Sequence, residues 1–350
     1  MNMAQRDEDT LIKRLTTHQL FSPIAALLLL LVIGTAVIPH FLRITWFEGH
    51  LSGTLIDILN RAAPLMLVSI GMMLVIAARG LDISVGAIVA ITGAVAAQII
   101  GNNTSVTGTY PLIASIAGAL GVAALCGLWN GLLVVKTGMQ PIIATLILMV
   151  AGRGIAQLIT GGQILTIYYP PYFYIGNGYL LGLPFALFIA LLTAITLHVL
   201  LTRTALGLFI RAIGFNPVAA HVAGVRSRLI TTCLYVFCGL TAGLAGLIIS
   251  SNVKSADGNN AGQLMELDAI LAVTLGGTTL NGGRFTVIGT VLGALIIQTL
   301  TSMIYSSGLP PQVNLAVKAV LVFAVMLLQS AEFRGTVRNV LFKPRTGTSS

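Results

Sequence analysis

The segment RGLDISVGA at positions 79–87 decides the fold. LMLVSIGMMLVIAA (65–78) precedes it and IVAITGAVAAQII (88–100) follows it. As one unbroken helix this stretch would far exceed the roughly 20 residues that cross a hydrocarbon core. An arginine and an aspartate, three residues apart, divide it. We read 79–82 as a tight cytoplasmic turn between an inward and an outward helix. Gly80 supplies backbone freedom at the reversal, and Asp82 or Ser84 caps the unpaired N–H groups of the next helix.

Composition agrees with a membrane. Of 350 residues, 56% are hydrophobic and 8% charged, against about 25% charged in a typical soluble domain. So few charges cannot cover a water-facing surface. Lipid leaves only helices or a closed barrel, and long apolar runs without alternation select helices. The first run ends at Pro39 and His40 without a small-residue cleavage site, so it reads as a retained span rather than a signal peptide. The expected fold is an all-α polytopic membrane protein of about ten transmembrane helices. They fall at 21–41, 62–78, 83–101, 111–135, Pro141–Thr160, 181–201, 229–250, 266–280, Val287–Ser306 and 313–329, with an interfacial helix over 46–61. Residues 1–20 and 331–350 are cytoplasmic tails, and 21–330 is the transmembrane domain.

Charge sets the orientation. With the N-terminus inside, the inner loops hold Arg6, Lys13, Arg14, Arg79, Lys136, Arg203, Arg211, Arg226, Arg228, Arg284, Arg334, Arg338, Lys343 and Arg345. The outer side holds Arg43, Arg61 and Lys254. This is the positive-inside distribution, and it places both termini in the cytoplasm. The net charge of +9 therefore points to inner loops at a membrane, not to nucleic acid. Cys126, Cys233 and Cys238 all fall in apolar runs and read as buried free thiols.

Catalytic and metal motifs are missing. There is no Gly-Lys dipeptide for a phosphate-binding loop, no HExxH and no CxxC, and the five histidines are scattered. No acidic residue stands convincingly mid-span, which argues against proton coupling. The longest inner loop, TRTALGLFIRAIGFNPVAAHVAGVRSRLI (202–230), is more informative. Asn216 is a good N-cap, Pro217 suits the first helical position, and Gly224 ends the helix. A two-turn helix results, flanked by arginines and carrying the small side chains Ala219, Ala220 and Ala223; it reads as an ordinary cytoplasmic connector or as a docking knob for a cytoplasmic partner. GGTTLNGGR (276–284), with Gly277, Gly283 and Arg284, forms a second inner turn like the first. VGAIVAITGAVAAQII and VIGTVLGALIIQ follow the two turns and hint at an internal duplication.

GLDISVGA (80–87), AIGFNPVAAHVAGV (212–225) and ELDAILAVTLGGTTLNGGRF (266–285) together resemble the permease subunits of ribose-type sugar importers of the ABC class. The likeness runs in order from about position 56 to 329. QPIIATLILMVAGRGIAQLITGGQI (140–164) and NNAGQLMELDAILAV (259–273) resemble the galactofuranose importer permeases more closely still. Arg79 departs from the pattern, standing where a second glycine is common. The resemblance implies a bacterial inner-membrane permease working by alternating access, with a cytoplasmic ATP-binding subunit, a periplasmic sugar-binding protein and a second permease of a different chain. ATP and Mg would be used by the ATPase, and this chain would bind no cofactor and catalyse no covalent chemistry. Positions 216–225 become the coupling helix, and the turn at 79–82 gains a possible contact with it or with the ATPase. Arg153, with Gln157 one turn on, stands within a span. The pair offers hydrogen bonds to sugar hydroxyls or, alternatively, makes a structural contact with the carbonyls of a neighbouring helix. The competing class is an ion-coupled secondary transporter of small solutes.

Overall fold

The computed structural model describes residues 20–47, 49–101, 110–308, 310 and 312–320. The expected tails, the 102–109 loop and the end of the last span lie outside them. The chain divides into two compact units, Met1–Leu300 and Thr301–Ser350. The second contains the end of helix α12 and a helical stretch over 312–320.

In the first unit, α1 (Phe21–Val37) stops just before Pro39. A hairpin of β1 (Thr45–Phe47) and β2 (His50–Ser52) follows. Next come α2 (Thr54–Ala77), α3 (Val85–Ile100), α4 (Tyr110–Lys136) and α5 (Pro141–Thr160). β3 (Leu165–Thr166), α6 (Pro170–Asn177) and a hairpin of β4 (Tyr179–Leu180) and β5 (Leu183–Pro184) lead to α7 (Phe185–Arg203). Two short helices, α8 (Leu206–Phe215) and α9 (Pro217–Val222), precede α10 (Ser227–Val253). β6 (Ser255–Ala256) pairs with β3 before α11 (Met265–Leu275) and α12 (Val287–Ser306).

Six of these helices, α2, α4, α5, α7, α10 and α12, are long and apolar enough to cross a membrane. The protein is thus an all-α polytopic membrane protein. α2 and α10 form its centre: α10 packs against α2, α3, α4 and α6. Hydrophobic burial does not hold helices together in lipid, so close backbone contact has to. Gly239 and Gly243 on α10 face Ala123 and Gly127 on α4, and a Cβ on Gly131 would sit 3.0 Å from the Thr232 Cα. Glycine and alanine at four-residue spacing let the two backbones touch.

Several expected boundaries move. The expected interfacial helix over 46–61 is a β-hairpin followed by the first turns of α2. Thr45, Trp46 and Phe47 favour extended chain, and Gly49 turns it at φ 82°. The 181–201 span begins only at Phe185, since 181–184 closes the β4–β5 hairpin. The eighth span is an α-helix for only 11 residues, about 16 Å by helical rise and half a hydrocarbon core. Cys238 is buried, but Cys126 is half-buried and Cys233 exposed on the helix surface.

The bundle has two unlike ends. At one, exposed Arg79, Arg203, Arg211, Arg226, Arg228 and Arg284 gather. At the other stand exposed Trp46, Tyr168, Tyr174 and Tyr179, residue types that favour a membrane–water interface.

Candidate functional site

The basic end is built around the reversal after α2. Gly80 N–H donates to Val75 O at 2.9 Å, closing a helix-ending turn with Arg79 at the left-handed position, φ 64°. The backbone freedom expected of Gly80 is therefore exercised by Arg79. Gly80 is needed for space, because a Cβ there would lie 2.7 Å from Tyr235 Oη and 2.8 Å from Val75 Cγ1.

Beyond Gly80 the chain runs back into the bundle without helix until Val85. Asp82 is fully buried on this segment, so the turn is a broken re-entry rather than a surface loop. Its Oδ1 accepts from Ser84 N–H at 3.0 Å, Ser84 Oγ at 2.6 Å and Asn130 Nδ2 at 3.3 Å. Asn130 Nδ2 also donates to Ser84 Oγ at 2.8 Å, and Thr145 Oγ1 accepts from Ile83 N–H at 3.2 Å. The expected cap does not form: Asp82 bonds the N-cap residue Ser84 itself, and the Ser84 hydroxyl turns to Asp82 instead of to the N–H groups of the helix. Buried polar groups need such partners, and a charged acceptor gains most from several.

The 214–225 segment meets this reversal. Asn216 ends α8 and caps α9, its Oδ1 accepting from Val218 N–H at 3.0 Å and Ala219 N–H at 3.1 Å. Gly224, at φ 85°, lies just past the end of α9, where Val225 N–H donates to Ala220 O at 3.0 Å. Asn216, Pro217, Ala219, Ala223 and Gly224 are exposed. Ala220 is turned inward at 5% exposure. The outward face of α9 is instead carried by Val218 and Val222, at 71% and 83%.

The second turn arrives at the same place. Gly283, at φ 83°, donates its N–H to Ala77 O at 2.9 Å. Gly214 is wedged between them, and a Cβ there would collide with Ala77 O and Gly283 N. Phe215 covers Gly283, and Arg211 stacks on Phe285 with its guanidinium carbon 5.3 Å from the ring centre. Gly277 and Arg284 are exposed on this turn. Gly80, Gly283 and the 214–216 segment are thus brought together, while Asp82 lies deeper in.

Arg153 belongs to another centre. Its Nη1 donates to Ala261 O and, at 3.4 Å, to Asn259 O. These carbonyls lie on the segment between β6 and α11, which dips into the bundle until Gly262 touches Gly86 and Val89 of α3. Asp257 shapes that segment by accepting from Asn259 N–H at 2.8 Å, Asn260 N–H at 3.2 Å and Asn260 Nδ2 at 2.8 Å. Glu266, 4% exposed, opens α11 beside Gly86. Gln157 is exposed one turn beyond Arg153. Two broken spans meet here, and non-helical backbone at such depth belongs in protein or beside a water-filled path. Asn130, Tyr235 and Glu266 were not singled out from sequence. Their one visible signal was a polar side chain in an apolar run.

A family model described as "Branched-chain amino acid transport system / permease component" matches residues 54–328. The chain is 49% identical over 324 residues to the galactofuranose transporter permease protein of Escherichia coli K12, covering 92% of this chain and 93% of that one. It is 35% identical to the fructose import permease protein of Bifidobacterium longum, covering 96% and 95%. It is 36% identical to the ribose import permease protein of Bacillus subtilis 168, covering 89% and 92%. No solved structure matches it significantly.

Proposed function

The chain belongs to this family of transport-system permease components, and from that premise we propose that it is the transmembrane permease of an ATP-driven, binding-protein-dependent sugar importer. Its cargo is galactofuranose or a related monosaccharide such as ribose. The chain provides the path and holds no ATP. A cytoplasmic ATP-binding subunit uses ATP and Mg, a periplasmic protein delivers the sugar, and a second, different permease completes the membrane unit in the bacterial inner membrane.

The observation that carries this reading is α9. It is a six-residue helix with a built cap, a glycine stop and an exposed face, flanked by exposed arginines at one end of the bundle. A mere connector needs no such length control. In this reading α9 enters a cleft of the ATPase, and the closing ATPase moves α8 and α10 through it. The sugar passes where the broken spans meet, near Arg153 and Gln157.

The test is purification of the complex from native membranes with cysteines at Val218 and Val222. We expect an ATPase and a second permease to co-purify, the cysteines to crosslink to the ATPase, and galactofuranose uptake to stop on ATP depletion. Uptake that survives ATP depletion, with no crosslink from α9, would show an ion-coupled carrier instead.

A further inference from the structure

We propose that Arg79 is the positioning residue through which a displacement of the coupling segment reaches both helix reversals at once. This rests on the reading of α9 as the ATPase contact. Arg79 Nε donates to Gly214 O at 2.7 Å and to Asn281 O at 3.2 Å, and its Nη2 donates to Phe215 O at 2.9 Å. Gly214 and Phe215 are the last two residues of α8, immediately before the Asn216 cap of α9. Their carbonyls lack intrahelical partners, and a cation at a helix C-terminus is favoured there. Asn281 belongs to the turn between α11 and α12. One planar fork therefore ties its own turn to two other chain segments, 135 and 202 positions away.

The surroundings leave this link little slack. Gly283 N–H is bonded to Ala77 O, and Gly214 fits between them without room for a methyl group. A Cβ on Gly282 would lie 2.8 Å from Arg79 Cγ, so the glycine makes room for the arm. Contacts between backbones cannot yield by rotating a side chain, so movement of the 214–216 segment is passed on.

The conformation of Arg79 points the same way. It occupies the left-handed helix-ending position at φ 64°, where glycine carries no steric penalty. A residue serving only the turn would be served better by glycine. Strain of this kind persists where the surroundings over-determine it, and here the fork supplies that determination. Lysine, with a single ammonium, cannot reproduce the divided contact.

The experiment uses the full complex in proteoliposomes, with binding protein and radiolabelled galactofuranose, and reads sugar moved per ATP hydrolysed beside the unfolding temperature. Arg79→Gly relieves the backbone strain but removes the fork. We expect it to assemble while sugar moved per ATP falls about tenfold, the scale of losing charge-assisted hydrogen bonds. Arg79→Lys should fall between it and the wild type. If Arg79→Gly does not assemble, Arg79→Gln decides by the same ratio. A ratio equal to wild type in the assembled variant, even with less complex, overturns the inference and leaves Arg79 as a helix cap. A wild-type complex whose ATP hydrolysis does not respond to loaded binding protein overturns the functional reading and this inference with it.

Discussion

Removing the carboxylate of Asp82 would strand two buried donors, the Ser84 N–H and the Ser84 hydroxyl, and leave the Asn130 amide with Ser84 Oγ alone. Each unsatisfied group costs about 1–3 kcal/mol. Asp82→Ala should therefore destabilise the chain by roughly 3–5 kcal/mol, seen as a lost or sharply lowered thermal transition in detergent. Asn130→Ala should cost less, because Ser84 still serves the carboxylate. Equal stability of Asp82→Ala and wild type would mean that the network contributes nothing. Glycines make a second comparison. Gly214→Ala must push into two backbone segments, whereas Gly224→Ala meets open space and only the left-handed φ of 85°. The second should cost about 1 kcal/mol and the first should disrupt the junction. The transitions of the two variants decide it, and matching values would refute the close approach. The bond from Asp82 to Ser84 could be anticipated, because an aspartate accepting from the N–H two residues on is a local signal. The other partner, Asn130, could not, since it lies 48 positions away and nothing in an apolar helix announces which way one amide points.

The element that matters most is α9. Asn216, Pro217 and Gly224 are local punctuation, so its existence and length were readable from sequence. Its rotation was not. Which alanine faces inward depends on how α8 and α10 approach, and the six-residue pattern carries no strong hydrophobic stripe. The inward turn of Ala220 changes the choice of probe. Val222→Trp should leave insertion and pairing intact while lowering binding-protein-stimulated ATP hydrolysis, since it adds bulk to the exposed face. Ala220→Trp should instead lift α9 from the bundle and reduce stability as well. Stimulated hydrolysis and unfolding temperature, measured together, distinguish the two. Full stimulation in Val222→Trp would remove α9 from the docking surface. Asn216→Ala should act more mildly, a cap being worth about 1 kcal/mol. α11 teaches the reverse lesson. Its apolar run continued through Gly276, so sequence suggested a longer span than the 11 helical residues present. Arg153 is already bonded to the segment before it. Arg153→Ala should therefore loosen residues 257–262, seen as faster hydrogen exchange there, alongside any loss of uptake. Unchanged exchange with lost uptake would assign Arg153 to the sugar alone.

At the scale of the molecule, the long apolar helices follow from composition and the positions of glycine, proline and charge. The two-ended distribution of arginine and aromatic residues follows from the order of the loops. The broken spans at 80–84 and 257–264 were harder to see, because an interruption reads alike at a surface or at depth. The charge distribution predicts that both termini face the cytoplasm. Reporter fusions at Gly347 and in the 102–109 loop should report opposite compartments, and matching compartments would refute the alternation. α10 carries a further consequence. At its aromatic end Tyr172 Oη lies 2.6 Å from Ser250 Oγ, Gly176 N–H donates to Ser251 Oγ at 2.8 Å, and Asn177 Nδ2 donates to Asn252 O at 3.0 Å. The other end begins at Ser227, five residues beyond α9. If α9 takes the push of an ATPase, this helix acts as a lever about 40 Å long, with its fulcrum among those serines and its handle beside α9. A push of about 4 Å on the handle tilts a rod of that length by about 6°, and the arc swept shrinks steadily toward the pivot. On the proposed reading of α9, the widest opening would be made at the arginine side, while the tyrosine side would hardly move.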